Sequence, residues 1–170
     1  MRPVLPLLLT AFAGSAIGQS TIHVFSPNGP AEVFGSNVAS AGDVNNDGTP
    51  DFLIGIPIPT STMPKGRVQV VSGVTGQAFY TLEADGDGLP FGNALAGVGD
   101  TNGDGIVDVA VGVPNFSMPI LASVRVYSGI DGTPLVTVWA PSVSSIQFPS
   151  EVDGVGDVNH DGLADFLIGD

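Results

Sequence analysis

Asp43-Val44-Asn45-Asn46-Asp47-Gly48-Thr49-Pro50-Asp51 sets a carboxylate or amide at positions 1, 3 and 5, then a glycine, then one more aspartate at position 9. The pattern returns at Asp100 to Asp108 (Asp-Thr-Asn-Gly-Asp-Gly-Ile-Val-Asp) and at Asp157 to Asp165 (Asp-Val-Asn-His-Asp-Gly-Leu-Ala-Asp). The copies begin at 43, 100 and 157, a fixed period of 57 residues. Self-similarity at a fixed period marks a repeat array, in which each unit leaves faces for its neighbours to cover.

Working outward from each loop, the same flanks recur. Phe34-Gly35 and Phe91-Gly92 open the first two units, and Phe148-Pro149 opens the third. After each loop comes a short apolar run, Phe52 to Ile56 and Val107 to Val113, closed by Gly55-Ile56-Pro57 or Gly112-Val113-Pro114. Such runs, bounded by turn residues, are strand length and too short for a helix. Arg67 to Val71 alternates as a strand, Ser72 to Gly76 is a hairpin turn, and Gln77 to Glu83 is the return strand. Ser123 to Gly129, the turn at Ile130-Asp131-Gly132 and Leu135 to Trp139 repeat that outer hairpin. The expected architecture is all-β, with propeller blades of about four antiparallel strands: two full units (34–90 and 91–147) and part of a third (148–170). Thr21 to Ser26 reads as a leading strand within 19–33, followed by turn chemistry at Ser26 to Pro30. Two units and a part cannot close a ring, and the chain stops inside the third unit's strand. It is therefore expected to be the N-terminal piece of a longer protein whose blades pack on further repeats. Self-assembly of short chains into a ring is the alternative.

The formal charge is −13, with four Lys plus Arg against 17 acids, and nine of those acids sit in the three loops. That balance excludes nucleic acid as a partner, because nothing is available to neutralise phosphates. Acid concentrated in glycine-containing loops points to cation binding rather than to a solvated acidic tail. Hydrophobic residues make up 43% of the chain, enough for a core. The absence of cysteine excludes disulfides, thiolate metal sites and cysteine nucleophiles.

Met1-Arg2 followed by the mostly apolar run Val4 to Ile17, with small residues before a cut after Gly18, reads as a cleaved secretory signal peptide over 1–18. Ala13 offers a second cleavage position. A membrane anchor is disfavoured, since the run is about 14 residues against the roughly 20 that span a bilayer. Secretion or display at the cell surface is the expectation.

Calcium takes six to eight hard oxygen ligands in a flexible arrangement. In the first loop Asp43, Asn45, Asp47 and Asp51 would supply side-chain oxygens and Thr49 its backbone carbonyl. The second set is Asp100, Asn102, Asp104, Asp108 and the carbonyl of Ile106. The third is Asp157, Asn159, Asp161, Asp165 and the carbonyl of Leu163. Position 6 (Gly48, Gly105, Gly162) is where the chain turns sharply and where a Cβ is expected to obstruct. Magnesium is disfavoured by its octahedral demand, and zinc and copper by the lack of thiolate or systematic imidazole. His160, at position 4, reads as a solvent-facing substitution, and His23 as a strand residue with no partner. Asp85-Gly86-Asp87-Gly88 reads as a turn, and Lys65, Arg67 and Arg125 as surface charges. An EF-hand or dockerin loop would need an acid at position 12 and a following helix. Here position 12 is Ile54, Val111 or Ile168, and a strand follows. Thrombospondin-type calcium repeats would need cysteines.

Phe-Gly, then Asp-x-Asn-x-Asp-Gly-x-x-Asp, then an apolar strand and Gly-x-Pro resembles the FG-GAP repeat. That repeat builds the seven-bladed β-propeller of integrin α-subunits and of many secreted bacterial proteins. The resemblance covers Phe34 to Asp170, with departures at Phe148-Pro149 and in the middle residue of Gly-x-Pro. It implies about one Ca2+ per loop, up to three, and adhesion or extracellular recognition of a protein or glycan. The leading functional expectation is a non-catalytic, calcium-stabilised binding or cell-adhesion module. An alternative is the propeller part of a secreted enzyme with its catalytic domain beyond residue 170, as in phospholipase D acting on glycolipid anchors. A purely structural surface protein is a third. No nucleophile–base pair stands out in the 170 residues.

Overall fold

The computed structural model describes residues 23–26, 33–57, 65–86, 89–114, 122–141 and 148–170. The signal-peptide reading, the leading turn at 27–30 and most of the 57–64 loop lie outside these residues. Ten strands are described: β1 Val38–Gly42, β2 Asp51–Ile56, β3 Arg67–Val71, β4 Ala78–Glu83, β5 Leu95–Gly99, β6 Asp108–Val113, β7 Ser123–Tyr127, β8 Pro134–Trp139, β9 Glu151–Gly156 and β10 Asp165–Gly169. They form two four-stranded antiparallel meanders, β1-β2-β3-β4 and β5-β6-β7-β8, and the pair β9-β10. Among the described residues there is no helix. The expected four-strand unit is therefore present twice, with the first two strands of a third. The architecture is an incomplete β-propeller.

The blades stack through their faces. β6 is buried along its whole length, and its side chains divide by the two-residue period of a strand. Val109, Val111 and Val113 join Leu53, Val68, Val70, Leu82 and Phe91 in a core between the first and second blades. Ala110, on the opposite face, joins Ala96, Val124, Val126, Phe148 and Val152 in a second core, toward the third. A strand covered on both sides explains the unbroken apolar run that the sequence shows there.

The innermost strands sit side by side, with β5 against both β1 and β9. Gly97 permits this: a Cβ there would stand 2.8 Å from the Ala41 carbonyl carbon and oxygen. The Phe-Gly and Gly-x-Pro elements meet between blades. Phe91 is fully buried, its N–H donates to the Pro57 carbonyl (3.3 Å), and its ring meets Tyr127 edge-on at 6.2 Å. A Cβ on Gly55 would lie 2.9 Å from the Gly92 carbonyl oxygen. At the third unit Pro149 fills the equivalent place against Gly112. Proline has no N–H to give, and Ser150 N–H donates to the Gly169 carbonyl instead (3.1 Å).

Residues 23–26 are not a strand in the structure, and His23 does have a partner. Its Nε2 lies 3.1 Å from the Gly73 carbonyl oxygen. One 57-residue period later, the Tyr80 hydroxyl donates to the Gly129 carbonyl at 2.8 Å. His23 thus meets the first outer hairpin as Tyr80 meets the second. Arg125 is also not the surface charge expected of it. Its side chain is only 15% exposed and pairs with Asp85 across the two blades.

Candidate metal centre

Each acidic loop joins two paired strands and closes on itself through its own backbone. In the first, Asp43 Oδ1 accepts from Asp47 N–H (3.0 Å) and Oδ2 from Gly48 N–H (2.7 Å). Asn45 Oδ1 accepts from the same Asp47 N–H (3.0 Å), and Asp47 Oδ1 accepts from Thr49 N–H (2.9 Å). The second loop repeats this, with Asp100 accepting from Gly103, Asp104 and Gly105 and Asp104 from Ile106. In the third, Asp157 accepts from Asp161 and Gly162, and Asp161 from Leu163. Burial pushes the Asp100 carboxyl up, but its four backbone N–H donors outweigh that and hold it below the usual carboxylate range.

This pattern brings positions 1, 3 and 5 together. Oxygens of Asp43 and Asn45 both sit 3.0 Å from a single nitrogen, and the Asn45 amide reaches Asp47 Oδ2 at 2.7 Å. The corresponding Asn102–Asp104 and Asn159–Asp161 contacts are 2.8 and 3.0 Å. Most of these carboxylate oxygens retain lone-pair capacity beyond their N–H partners, the exception being Asp100 Oδ1, which accepts from Asn102, Gly103 and Asp104. The donors are hard oxygens, the type that suits a cation such as calcium. The two described ion pairs, Lys65–Glu83 and Arg125–Asp85, lie outside the loops.

Position 9 behaves differently. Asp51 and Asp108 are fully buried. Asp51 Oδ2 accepts from Val44 N–H (3.0 Å) and Oδ1 from Gly73 N–H of the outer hairpin (2.9 Å). Asp108 Oδ2 accepts from Thr101 N–H (2.9 Å) and hydroxyl (2.6 Å), and Oδ1 from Gly129 N–H (3.2 Å). The sequence reading gave these aspartates a metal alone. The structure makes them ties between loop, strand and outer hairpin. Among the described residues no three His, Cys, Asp or Glu side chains are gathered as one metal-holding group. Thr49, Ile106 and Leu163 are seen donating their N–H groups to position 5. The hairpin tie has a signal in the sequence, a Ser-Gly pair at the hairpin in both units (Ser72-Gly73 and Ser128-Gly129), which the sequence reading places in the turn of the first unit and at the end of the strand run in the second. A Cβ on Gly129 would stand 1.9 Å from the Val107 carbonyl oxygen, so the hairpin lies directly on the loop.

The reason for glycine at position 6 is also corrected. Gly48, Gly105 and Gly162 have φ of +87°, +86° and +93°, with open space where a Cβ would be. Backbone conformation demands glycine there, not steric room. Position 4 is left-handed as well, with Asn46 at φ 57° and His160 at φ 63°. His160 is exposed, as expected.

A family profile described as FG-GAP repeat matches residues 34–71 and 91–130. Integrin alpha-5 of Xenopus laevis is 30% identical over 169 residues, covering 88% of this chain and 16% of its own length. Integrin alpha-E of Mus musculus is 36% identical over 145 residues, covering 75% of this chain and 12% of its own. Integrin alpha-4 of Xenopus laevis is 34% identical over 101 residues, covering 56% and 10%. The chain thus spans less than a fifth of the length of these relatives. Among the described residues no helix is long and apolar enough to cross a membrane. Repeating loops, blade stacking and matched residues agree: the chain carries FG-GAP repeats and belongs with the integrin-α-like β-propellers.

Proposed function

We propose that the chain is a non-catalytic extracellular binding or adhesion module whose blade loops are stabilised by calcium. The observation that carries this reading is the loop itself. Three times, at one period, backbone N–H groups orient two carboxylates and an amide toward each other. Carboxylates held so close repel one another without a counter-ion, and a divalent ion with hard-oxygen preference relieves that. Asp43, Asn45 and Asp47 would hold it in the first loop, Asp100, Asn102 and Asp104 in the second, Asp157, Asn159 and Asp161 in the third. Backbone carbonyls at position 7 and remaining lone pairs of Asp51, Asp108 and Asp165 complete the proposed set. Export by a cleaved signal peptide accompanies this reading, since the integrin relatives suggest an extracellular setting.

At about 1 mM calcium and a dissociation constant near 0.1 mM, each site would stabilise the fold by about 1.4 kcal/mol. Calorimetric melting with calcium and with chelator tests the proposal. The expected result is a melting temperature that rises with calcium concentration. An unchanged melt in chelator, together with no calcium uptake by titration calorimetry, would overturn it.

A further inference from the structure

A second site lies away from the loops. A groove of about 420 Å³ runs between β4 of the first blade and β8 of the second. That volume falls within the roughly 300–1,000 Å³ of ligand-binding clefts. Trp139, the only tryptophan of the chain, lines it while 52% exposed. Trp139 pairs with Ser123, and Thr137 with Arg125, in the β7–β8 ladder. Paired residues share a face, and Arg125 on that face reaches across to Asp85 of the first blade. The groove therefore opens between two complete blades. Its lining also includes the buried Tyr127, together with Thr137 and Glu83.

We propose that this groove binds a neutral saccharide. Arg125, the one basic residue of its lining, is paired with Asp85, and Glu83 is paired with Lys65 beside the groove, so an acidic ligand finds no unpaired cation there. What remains is an amphipathic set. An exposed indole offers an apolar face for the C–H side of a sugar ring. The guanidinium–carboxylate pair and the Thr137 hydroxyl offer donors and acceptors for neighbouring sugar hydroxyls. This deepens the binding-module reading without depending on calcium, so the two fail separately.

The test uses the 170-residue chain, whose fluorescence under indole excitation comes from Trp139 alone. Maltotriose, cellotriose, mannotriose and N-acetyllactosamine are titrated in turn, with sialyllactose as the acidic comparison and saturation-transfer NMR as the second readout. A saturable emission change with at least one neutral sugar is expected. Asp85→Asn, which keeps an acceptor for Arg125 and whose folding is checked by circular dichroism, is expected to weaken it roughly tenfold. Thr137→Val is expected to weaken it in the same direction. No saturable response by either readout, a response to sialyllactose alone, or affinities unchanged in both variants would overturn the proposal.

Discussion

The first and third loops are nearly the same sequence, Asp43-Val44-Asn45-Asn46-Asp47-Gly48-Thr49-Pro50-Asp51-Phe52-Leu53-Ile54-Gly55 against Asp157-Val158-Asn159-His160-Asp161-Gly162-Leu163-Ala164-Asp165-Phe166-Leu167-Ile168-Gly169. Their surroundings differ because the 170 residues end at Asp170, so the hairpin β3–β4 that covers the first loop has no counterpart over the third. Val44 is 4% exposed and Val158 63%; Leu53 is 0% and Leu167 64%. Asp51 is sealed under the outer hairpin through Gly73, whereas Asp165 is half-buried and accepts only from Val158 and Asn159 within its own loop. Yet the internal hydrogen bonds of the two loops correspond one to one at positions 1, 3 and 5. The hydrogen-bonded loop geometry is thus local, made by the loop alone. Burial and the position 9 tie are made by neighbours.

The comparison can be broken most forcefully in the strands. Leu53→Ala should destabilise by about 3 kcal/mol, the usual range for a sealed leucine, through lost burial and a cavity. Leu167→Ala should change stability by less than about 0.5 kcal/mol. Urea unfolding of both variants checks this, and equal losses would mean that β10 is covered as β2 is. Next come the position 9 aspartates. Asp51→Ala leaves the Val44 and Gly73 N–H groups buried without partners and should cost about 2 kcal/mol even in chelator. Asp165→Ala, beside exposed N–H groups that water can reach, should cost under about 1 kcal/mol there. If calcium supplied all of the role of Asp51, the two variants would melt alike once chelator was added.

A smaller effect tests how one blade seats the next hairpin. Tyr80→Phe removes the hydrogen bond to the Gly129 carbonyl and should lower stability by about 1 kcal/mol. His23→Ala probes the equivalent contact on Gly73, and a comparable loss would confirm that the two residues are counterparts. The smallest effect concerns pH. Hydrogen bonds from the Thr133 side chain and N–H hold the Asp131 carboxyl below the ordinary carboxylate range. A lowered folded-state value means that its contribution is present above the unfolded pKa and lost as pH falls through the folded one. NMR titration of Thr133→Ala should return Asp131 toward the ordinary value. An unmoved value would remove the Thr133 hydroxyl as a cause, since the variant keeps the Thr133 N–H bond.

The period, the loops, the strands of both blades and the oxygens at positions 1, 3 and 5 were legible in the residues, because alternation, turn chemistry and loop hydrogen bonds act over a few positions. The roles of Gly97, Gly73 and Gly129 were not. Each is a glycine because backbone from a distant strand (Ala41 for Gly97) or from the acidic loop (Pro50 for Gly73, Val107 for Gly129) stands where its side chain would be, and nothing within a few residues announces that. Arg125 misled for the same reason, since its partner Asp85 belongs to the neighbouring blade.

The sequence by itself determined a repeat array of four-stranded units with an acidic loop in each, since backbone propensity and short-range hydrogen bonding suffice for that. Only the tertiary structure decided that the position 9 aspartates tie each loop to its outer hairpin and where a groove opens between the two blades. Those properties belong to contacts between residues tens of positions apart, such as Asp51 with Gly73 and Arg125 with Asp85.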